Sequence, residues 1–479
     1  MKEKFSYVKK EDRKKILLLC DDIRMHSGIA TMAREIVVGT SHHFNWVNLG
    51  AAINHPEVGK GFDISQEVNK LTGINDSDVK VLPNNGYGDA MQIRSLIHTE
   101  RPDAIMIFTD PRYWIWLFEI EREIRNEIPL FYLNIWDDLP TPLYNKSYYE
   151  SCDLLMAISK QTKNINEIVL GESAKDKIIK YVPHGINDKH FFPIREGHEN
   201  FGLLQEFRKN MFGEKEIDFV VVFNSRNIRR KSPGDVILSY KLFCDMIGEE
   251  ASKKCALVMH TQAVDENGTD LYVVREALCD ENVNVYFSQD KLDTPQMNLL
   301  YNVADVGLLI TSNEGWGLSL TETMMSGRMI IANVTGGMQD QMRFEHDGKW
   351  IDFTPDFPSN HRGTVRDCGD WAIPVFPSNI SLVGSVPTPY IFDDRCAPED
   401  VAKAICEVYD MPKEEREAKG LLAREWVTSD ESGMSARQMC ENVIDAMNES
   451  FEKFTPRPRF EVHKITDRPK KRITHKLIY

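Results

Sequence analysis

The stretch VGLLITSNEGWGLSLTETMMSG (306–327) joins an apolar run, a glycine-containing loop and a helical segment. Residues 306–310 have the length of a strand and no polar alternation. Gly315 and Gly317 follow in the loop, and a helix is predicted to begin near Leu318. This order is typical of an α/β domain, in which ligands meet the carboxyl ends of buried parallel strands.

The same alternation of strand and helix recurs along most of the chain. In the first part, strands are predicted at 15–20, 44–49, 79–82, 103–108, 129–135 and 154–158. In the second part, they are predicted at 218–224, 256–260, 283–287, 306–310 and 329–333. Strands without polar alternation are buried on both faces, so each series predicts a parallel sheet between helices. We therefore expect an α/β fold with two doubly wound Rossmann-like domains that face each other across a cleft.

Changes in composition suggest the domain bounds. We predict an amino-terminal domain at 1–195, a carboxyl-terminal domain at 212–425 and a helix at 426–454 that packs back toward the first domain. The final segment, 455–479, has eight Lys and Arg residues against two acidic ones and predicts a basic extended tail. Residues 345–395 are rich in proline, glycine and aromatic residues and predict an inserted functional loop.

Composition and charge exclude several classes of protein. The 479 residues exceed a single small module, and a net charge of −15 argues against broad contact with nucleic-acid backbone. Nine scattered cysteines without a Cys-x-x-Cys pair indicate reduced thiols. The charged start does not look like a signal peptide, and no apolar run reaches membrane-spanning length. We expect a cytoplasmic protein without an integral membrane segment.

The loop at 312–319 has the chemistry of a phosphate site. Gly315 and Gly317 let backbone N–H groups approach a ligand, and a helix amino terminus favours negative charge. Glu322 lies about one turn into the helix, where a carboxylate can accept hydrogen bonds from ribose hydroxyls. Glu314 lies at the start of the loop, where it can meet hydroxyls of a group beyond the phosphates.

A second loop is strongly basic. It follows the strand at 218–224 and contains Arg226 and Lys231, five residues apart, among four basic residues in six positions. A solvated basic loop is the ordinary interpretation of such a run. Here the loop is predicted at the carboxyl end of a buried strand, which favours a role in binding an anion such as a pyrophosphate leaving group.

Taken together, these motifs resemble the retaining GT-B glycosyltransferases of family four over about residues 15–425. The similarity rests on the basic loop, the Glu314/Glu322 pair, the segment GGMQD (336–340), the turn VPHGINDKHF (182–191) and the loop SGIA (27–30). The resemblance implies transfer of a sugar from a nucleotide-diphosphate donor to an acceptor, with retention at the anomeric carbon. It does not specify the sugar.

The resemblance also implies roles for individual residues. Arg226 and Lys231 would neutralise the departing diphosphate, and Glu314 would hold the hydroxyls of the donor sugar. Glu322 would bind the ribose. The remaining members of the implied donor site are Gly315, the amides of Gly317, Leu318 and Ser319, and the segment 288–292 at the base. Gly28, a further implied binding residue, lies on the first domain in a loop that resembles the one facing the acceptor.

No resident cofactor is expected, since the donor is a co-substrate, most simply UDP- or GDP-linked. Fixed cations and a helix terminus can stabilise a leaving diphosphate, so we also expect no metal.

One position departs from the family pattern. Many members have a histidine after the fifth strand of the first domain, whereas this chain has Trp136, in the sequence NIWDDLP (134–140). The segment DPRYWIW (110–116) also follows a predicted strand. Its aromatic residues are equally consistent with acceptor contact and with core packing.

The acceptor is not specified by the sequence. A saccharide, a lipid-linked sugar or a protein side chain is the default, and a modified DNA base is a further candidate. Two alternatives to transfer are a nucleotide-sugar epimerase on the same fold and a non-catalytic subunit that binds sugar nucleotides, the second favoured by Trp136.

Overall fold

The structure is a computed structural model that describes residues 7–458 and 460. The tail predicted at 455–479 therefore lies largely outside the described residues. The strands, numbered along the chain, are β1 Lys14–Asp21, β2 Phe44–Ala52, β3 Phe62–Asp63, β4 Val79–Asn85, β5 Ala104–Phe108, β6 Leu130–Asn134, β7 Leu154–Ala157, β8 Ile178–Tyr181, β9 Phe219–Asn224, β10 Cys255–His260, β11 Val285–Ser288, β12 Val306–Leu309, β13 Met329–Asn333, β14 Glu345–His346, β15 Lys349–Trp350, β16 Ala372–Val375, β17 Asn379–Ser385 and β18 Thr388–Arg395.

Helices alternate with these strands. They are α1 Gly28–Thr40, α2 Ser65–Thr72, α3 Ala90–Glu100, α4 Ile115–Glu119, α5 Glu121–Ile124, α6 Lys146–Glu150, α7 Lys160–Leu170, α8 Phe201–Phe212, α9 Pro233–Ile247, α10 Glu249–Ser252, α11 Leu271–Leu278, α12 Thr294–Val303, α13 Leu318–Met325, α14 Met338–Met342, α15 Pro398–Asp410, α16 Lys413–Thr428 and α17 Ala436–Lys453. No helix in the described part of the chain is long and apolar enough to span a membrane.

The chain divides into two compact units. Among the described residues, the first contains 7–185, 385–390 and those from 436 onward, and the second contains 186–384 and 391–435. The sequence-based bounds at 195 and 212 remain a prediction. Helix α17, which packs on α1, belongs to the first unit. The segment predicted as one helix at 426–454 is instead the end of α16, a connection and α17.

Each unit is built on a mostly parallel sheet. The first has eight strands in the order β3-β4-β2-β1-β5-β6-β7-β8, with β3 antiparallel to β4. The second has six strands in the order β11-β10-β9-β12-β13-β16. The central strands are buried over nearly their whole length, as the apolar runs predict. The predicted α/β class with two Rossmann-like sheets is confirmed.

The segment 345–395 was expected to be a loop, and this prediction is wrong. It contains β14 to β18, and β16 pairs with β13 as the last strand of the six-stranded sheet. Pro374 interrupts the strand pattern in the sequence, because proline cannot donate to a ladder. It is tolerated here since β16 lies at the sheet edge.

Candidate functional site

The loop after β12 depends on close backbone contact. Gly317 has φ +84°, a conformation that favours glycine, and it directly precedes α13. The N–H of Gly337 donates to the Glu314 carbonyl oxygen at 2.9 Å. A Cβ added to Gly337 would lie 2.0 Å from the Gly315 carbonyl oxygen. Glycines therefore allow the turn at 336–337 to lie directly against the loop that carries Glu314.

Side chains then fix this loop against its own helix. Gln341 Nε2 donates to the Gly317 carbonyl oxygen at 3.1 Å and to Thr321 Oγ1 at 2.7 Å. Trp316 Nε1 also donates to Thr321 Oγ1, at 3.0 Å. Trp316 is buried, while Leu318 and Ser319 at the start of α13 are half-buried. The start of the helix is thus held in place while its first turn keeps some exposure.

Lys231 and Glu314 form an ion pair in direct contact between Nζ and Oε2. The side chains are 11% and 13% exposed, respectively. Arg230 lies beside them, with Nη1 3.5 Å from the same carboxylate oxygen and 2.6 Å from the Asn313 carbonyl oxygen. The structure therefore brings together the predicted residues Lys231 and Glu314 and adds Arg230 to them.

Arg226, by contrast, is paired elsewhere. Its Nε lies 3.1 Å from Asp265 Oδ2, and its side chain is 64% exposed. The Asp265 pKa is lowered by the Asn267 N–H and by Arg226. The two cations expected to act together thus have different carboxylate partners in this structure, and a joint role for Arg226 and Lys231 remains a prediction.

The two loops are anchored to each other by main-chain groups. The Arg230 carbonyl oxygen accepts from the Ser312 N–H at 2.8 Å and from Thr311 Oγ1 at 2.9 Å. These contacts hold the basic loop against the segment that carries Glu314.

Strand β18 supports the other side of that segment. The Asp394 N–H donates to the Ser312 carbonyl oxygen at 3.1 Å, and Asn313 Nδ2 donates to the Phe392 carbonyl oxygen at 2.5 Å. Burial raises the pKa of Asp394 to about 6, and Thr335 donates to its carboxylate at 2.6 Å. The stretch 345–395 thus supplies a strand that fixes Glu314, which composition did not predict.

Glu322 has a different environment from Glu314. Tyr301 donates from its hydroxyl to Glu322 Oε2 at 2.5 Å, and Asn224 Nδ2 lies 2.6 Å from the same hydroxyl. Burial raises the pKa of Glu322 to about 7, and the Tyr301 hydrogen bond acts in the opposite direction. The sequence did not identify Tyr301 as a partner of Glu322, because Tyr301 lies on α12 and only tertiary packing places it against α13.

Other predicted positions are scattered over the two units. Gly28 is the first residue of α1 in the first unit, after the capping residue Ser27. The segment 288–292 begins where β11 ends, and His260 Nδ1 lies 3.0 Å from Ser288 Oγ. Its role at the base of the donor remains a prediction.

Trp136, which replaces the family histidine, is largely buried. Its Nε1 donates to the Asp138 carbonyl oxygen at 3.2 Å, and the Arg112 guanidinium lies 5.8 Å from its ring centre. His184, which packs edge-on against Phe108, is also buried, and burial lowers its pKa to about 3. Trp136 therefore packs as a core aromatic with a satisfied indole N–H.

No group of three or more His, Cys, Asp or Glu side chains within the described residues has an arrangement that could hold a metal ion. Metal independence of any reaction remains a prediction.

Comparisons with known proteins support the architecture. No protein-family model matches the chain, and a search of curated proteins finds no match. HepE from Anabaena, solved with UDP and glucose, is similar in structure with 12% identity and a TM-score of 0.58, covering 91% of this chain and 100% of HepE.

Two further solved structures give the same picture. Sucrose-phosphate synthase from Thermosynechococcus elongatus has 13% identity and a TM-score of 0.62, covering 92% of this chain and 100% of the synthase. A glycosyltransferase from Rickettsia africae has 13% identity and a TM-score of 0.59, again with 92% and 100% coverage. These similarities extend over both units.

Proposed function

Given the GT-B fold that these similarities establish, we propose that the chain is a glycosyltransferase that uses a nucleoside diphosphate sugar, most simply a UDP-sugar. The observation that carries the proposal is the Lys231–Glu314 pair beside Arg230, held at the start of α13. A half-buried carboxylate next to fixed cations suits a ligand that has both hydroxyls and phosphates. HepE was solved with UDP and glucose, which supports a uridine-linked donor.

The proposed reaction breaks the bond between the anomeric carbon and the diphosphate oxygen. A new bond forms between that carbon and the acceptor oxygen, and the acceptor proton passes to the departing diphosphate. Negative charge develops on the leaving group, where Lys231, Arg230 and the amino terminus of α13 would stabilise it. Fixed positive charges of this kind make a metal unnecessary for the step.

The two glutamates would divide the donor between them. Glu314, ion-paired and close to the phosphate end, would accept hydrogen bonds from sugar hydroxyls. Glu322, held by Tyr301, would use its remaining lone pairs for the ribose hydroxyls. Retention of the anomeric configuration would follow from attack on the face from which the diphosphate leaves, with orientation as the main contribution of the protein.

The test is incubation of the purified full chain with UDP-, GDP- and ADP-sugars, while free nucleotide and sugar products are followed by chromatography and mass spectrometry. We expect slow nucleotide release with one donor class in wild type and little release in Lys231→Ala. Lys241→Ala is the matched control, because Lys241 is in the same unit and pairs with Asp245.

Each other outcome contradicts the proposal. Formation of an epimeric sugar nucleotide without release would identify an epimerase. Tight binding without any turnover, tested with acceptor mixtures present, would identify a non-catalytic subunit. Retention itself is tested by the anomeric coupling constant of the product in an NMR spectrum.

A further inference from the structure

The carboxyl edge of the first sheet has side chains that the donor chemistry does not use. Asp21 ends β1, Tyr87 follows β4, and Tyr113 follows β5. In the sheet order, β5 is the direct neighbour of β1, and β4 is separated from β1 only by β2. Carboxyl ends of parallel strands are where open α/β sheets bind ligands.

Within the part of the chain that the structure describes, the Asp21 carboxylate is held by two hydroxyl groups. It accepts from Ser27 Oγ at 2.6 Å and from the Tyr87 hydroxyl at 2.8 Å. Each carboxylate oxygen thus receives one of these bonds and retains capacity for another. Among the described residues, no Lys or Arg nitrogen forms an ion pair with Asp21. An oriented carboxylate of this kind suits a ligand hydroxyl.

Tyr113 provides a flat surface beside this carboxylate. Its ring stacks on Tyr87 with centroids 4.4 Å apart and an interplanar angle of 15°, while Trp114 contacts both rings edge-on. Trp114 and Leu117 are buried, whereas Tyr113 is 52% exposed. The sequence left core packing and acceptor contact open for the segment 110–116. Trp114 packs in the core, whereas Tyr113 presents a ring face that could contact a ligand.

The cations at this edge are already neutralised. Arg112 pairs with Asp110, and Arg24 pairs with both Asp22 and Glu57. A phosphate at this position would find both arginines already paired with carboxylates. It would also be repelled by the negative charge of Asp21. The local charge therefore disfavours an anionic ring.

We propose that Asp21, Tyr87 and Tyr113 form an acceptor subsite for an uncharged ring that bears a hydroxyl group. The ring stacks on Tyr113, and the hydroxyl donates to Asp21. The assignment as an acceptor subsite rests on the proposed glycosyltransferase function. Both a saccharide and a hydroxymethylated nucleoside have this chemistry, whereas a sugar phosphate does not.

The experiment has a binding arm and a transfer arm, both with the full chain. Binding of methyl α-glucopyranoside, 5-hydroxymethyl-2′-deoxycytidine and glucose 6-phosphate is followed by saturation-transfer NMR and titration. We expect at least one uncharged probe to bind, and Tyr113→Ala to weaken it about tenfold. Tyr113→Phe should remain within about twofold of wild type, because the ring face is kept.

Matched variants distinguish loss of the subsite from a general loss of folding. Asp21→Asn should weaken the same probe about tenfold, because the negative charge that strengthens the hydrogen bond from the ligand hydroxyl is removed. Tyr272→Ala, at a partly exposed tyrosine of the second unit, should leave binding unchanged. In the transfer arm, Tyr113→Ala should raise the acceptor KM, whereas Tyr272→Ala should leave the acceptor KM unchanged.

The outcomes distinguish this proposal from the proposed function. If no donor is turned over but the uncharged probe binds through Tyr113, the subsite stands and the transfer proposal fails. If donor turnover is found, but glucose 6-phosphate binds best or Tyr113→Ala binds every probe as wild type does, the subsite proposal is overturned. Preference between the two uncharged probes identifies the source of the ring.

Discussion

The carboxyl edges of the two sheets differ in the types of residue and in the local charge that they present. In the second unit, the edge relies on backbone approach through Gly317 and Gly337 and on Lys231 and Arg230 around one carboxylate. In the first unit, the edge presents aromatic rings and a carboxylate held by hydroxyls, with its arginines paired to acids. Under the two proposals above, the edge in the second unit would bind a phosphorylated ligand and the edge in the first unit an uncharged one.

The difference shows how the same topology supports different chemistry. Strand ends deliver loops to one edge in both units, but the residue types in those loops determine which ligand charge is favoured. Substitutions in the second unit can show whether the carboxyl edge of its sheet depends on fixed positive charge and on close backbone contact.

The largest effect is expected from removal of the positive charge of Lys231. Lys231→Ala should lower kcat for nucleotide release by about 10²–10³-fold, because a fixed donor to a developing anion is lost. Steady-state kinetics measure this, with Lys241→Ala as the control. A fall of less than about threefold would show that the edge does not stabilise a leaving group through Lys231.

The next effect concerns backbone approach. Gly337→Ala should lower the free energy of unfolding of the second unit by about 2–3 kcal/mol, because its Cβ would meet the Gly315 carbonyl oxygen at 2.0 Å. Gly234→Ala is the control, since its Cβ would meet nothing within 4 Å. Thermal unfolding followed by calorimetry compares the two, and equal midpoints would contradict the close contact described here.

A smaller effect is expected from the titration of Glu322, whose pKa is raised to about 7 by burial. Below that pH the carboxyl is mostly protonated and accepts hydrogen bonds poorly, so the donor KM should fall by up to about tenfold as the pH rises from 6 to 8. Glu322→Gln should remove this dependence. A wild-type KM that stays constant over the range would exclude this role.

The smallest effect is expected from loss of the hydrogen bond that the Tyr301 hydroxyl donates to Glu322. Tyr301→Phe removes the hydrogen bond that opposes the burial-raised pKa of Glu322, so the decrease in donor KM should move to higher pH. At pH 7 we expect a rise in KM of about three- to fivefold. Tyr240→Phe, at another buried tyrosine of the unit, controls for packing. An unshifted pH profile would show that Tyr301 has only a structural role.

Local pattern predicted the elements that are apolar throughout. The strand at 329–333 has the predicted bounds, because a buried parallel strand leaves an uninterrupted apolar run in the sequence. The half-buried edge strand β8 was missed, since its exposure is intermediate at every residue. Strand β16 was also missed, because Pro374 cannot donate to a strand ladder and so argues against a strand in the sequence.

The candidate site was predictable only where neighbours in sequence are also neighbours in space. The loop at 312–319 and the basic loop were both found by their residue types. The pairing of Arg226 with Asp265 and of Tyr301 with Glu322 joins residues 39 and 21 positions apart, and packing determines both. No local pattern indicates which of several basic residues meets Glu314.

The hydrogen bonds from β18 to the segment at 312–313 have a consequence for protein engineering. A chimera that exchanged residues 345–395 for a shorter connection would remove the hydrogen bonds that hold residues 312 and 313, next to Glu314. Recombination breakpoints in this unit are therefore best placed so that β18 and the loop after β12 are inherited together.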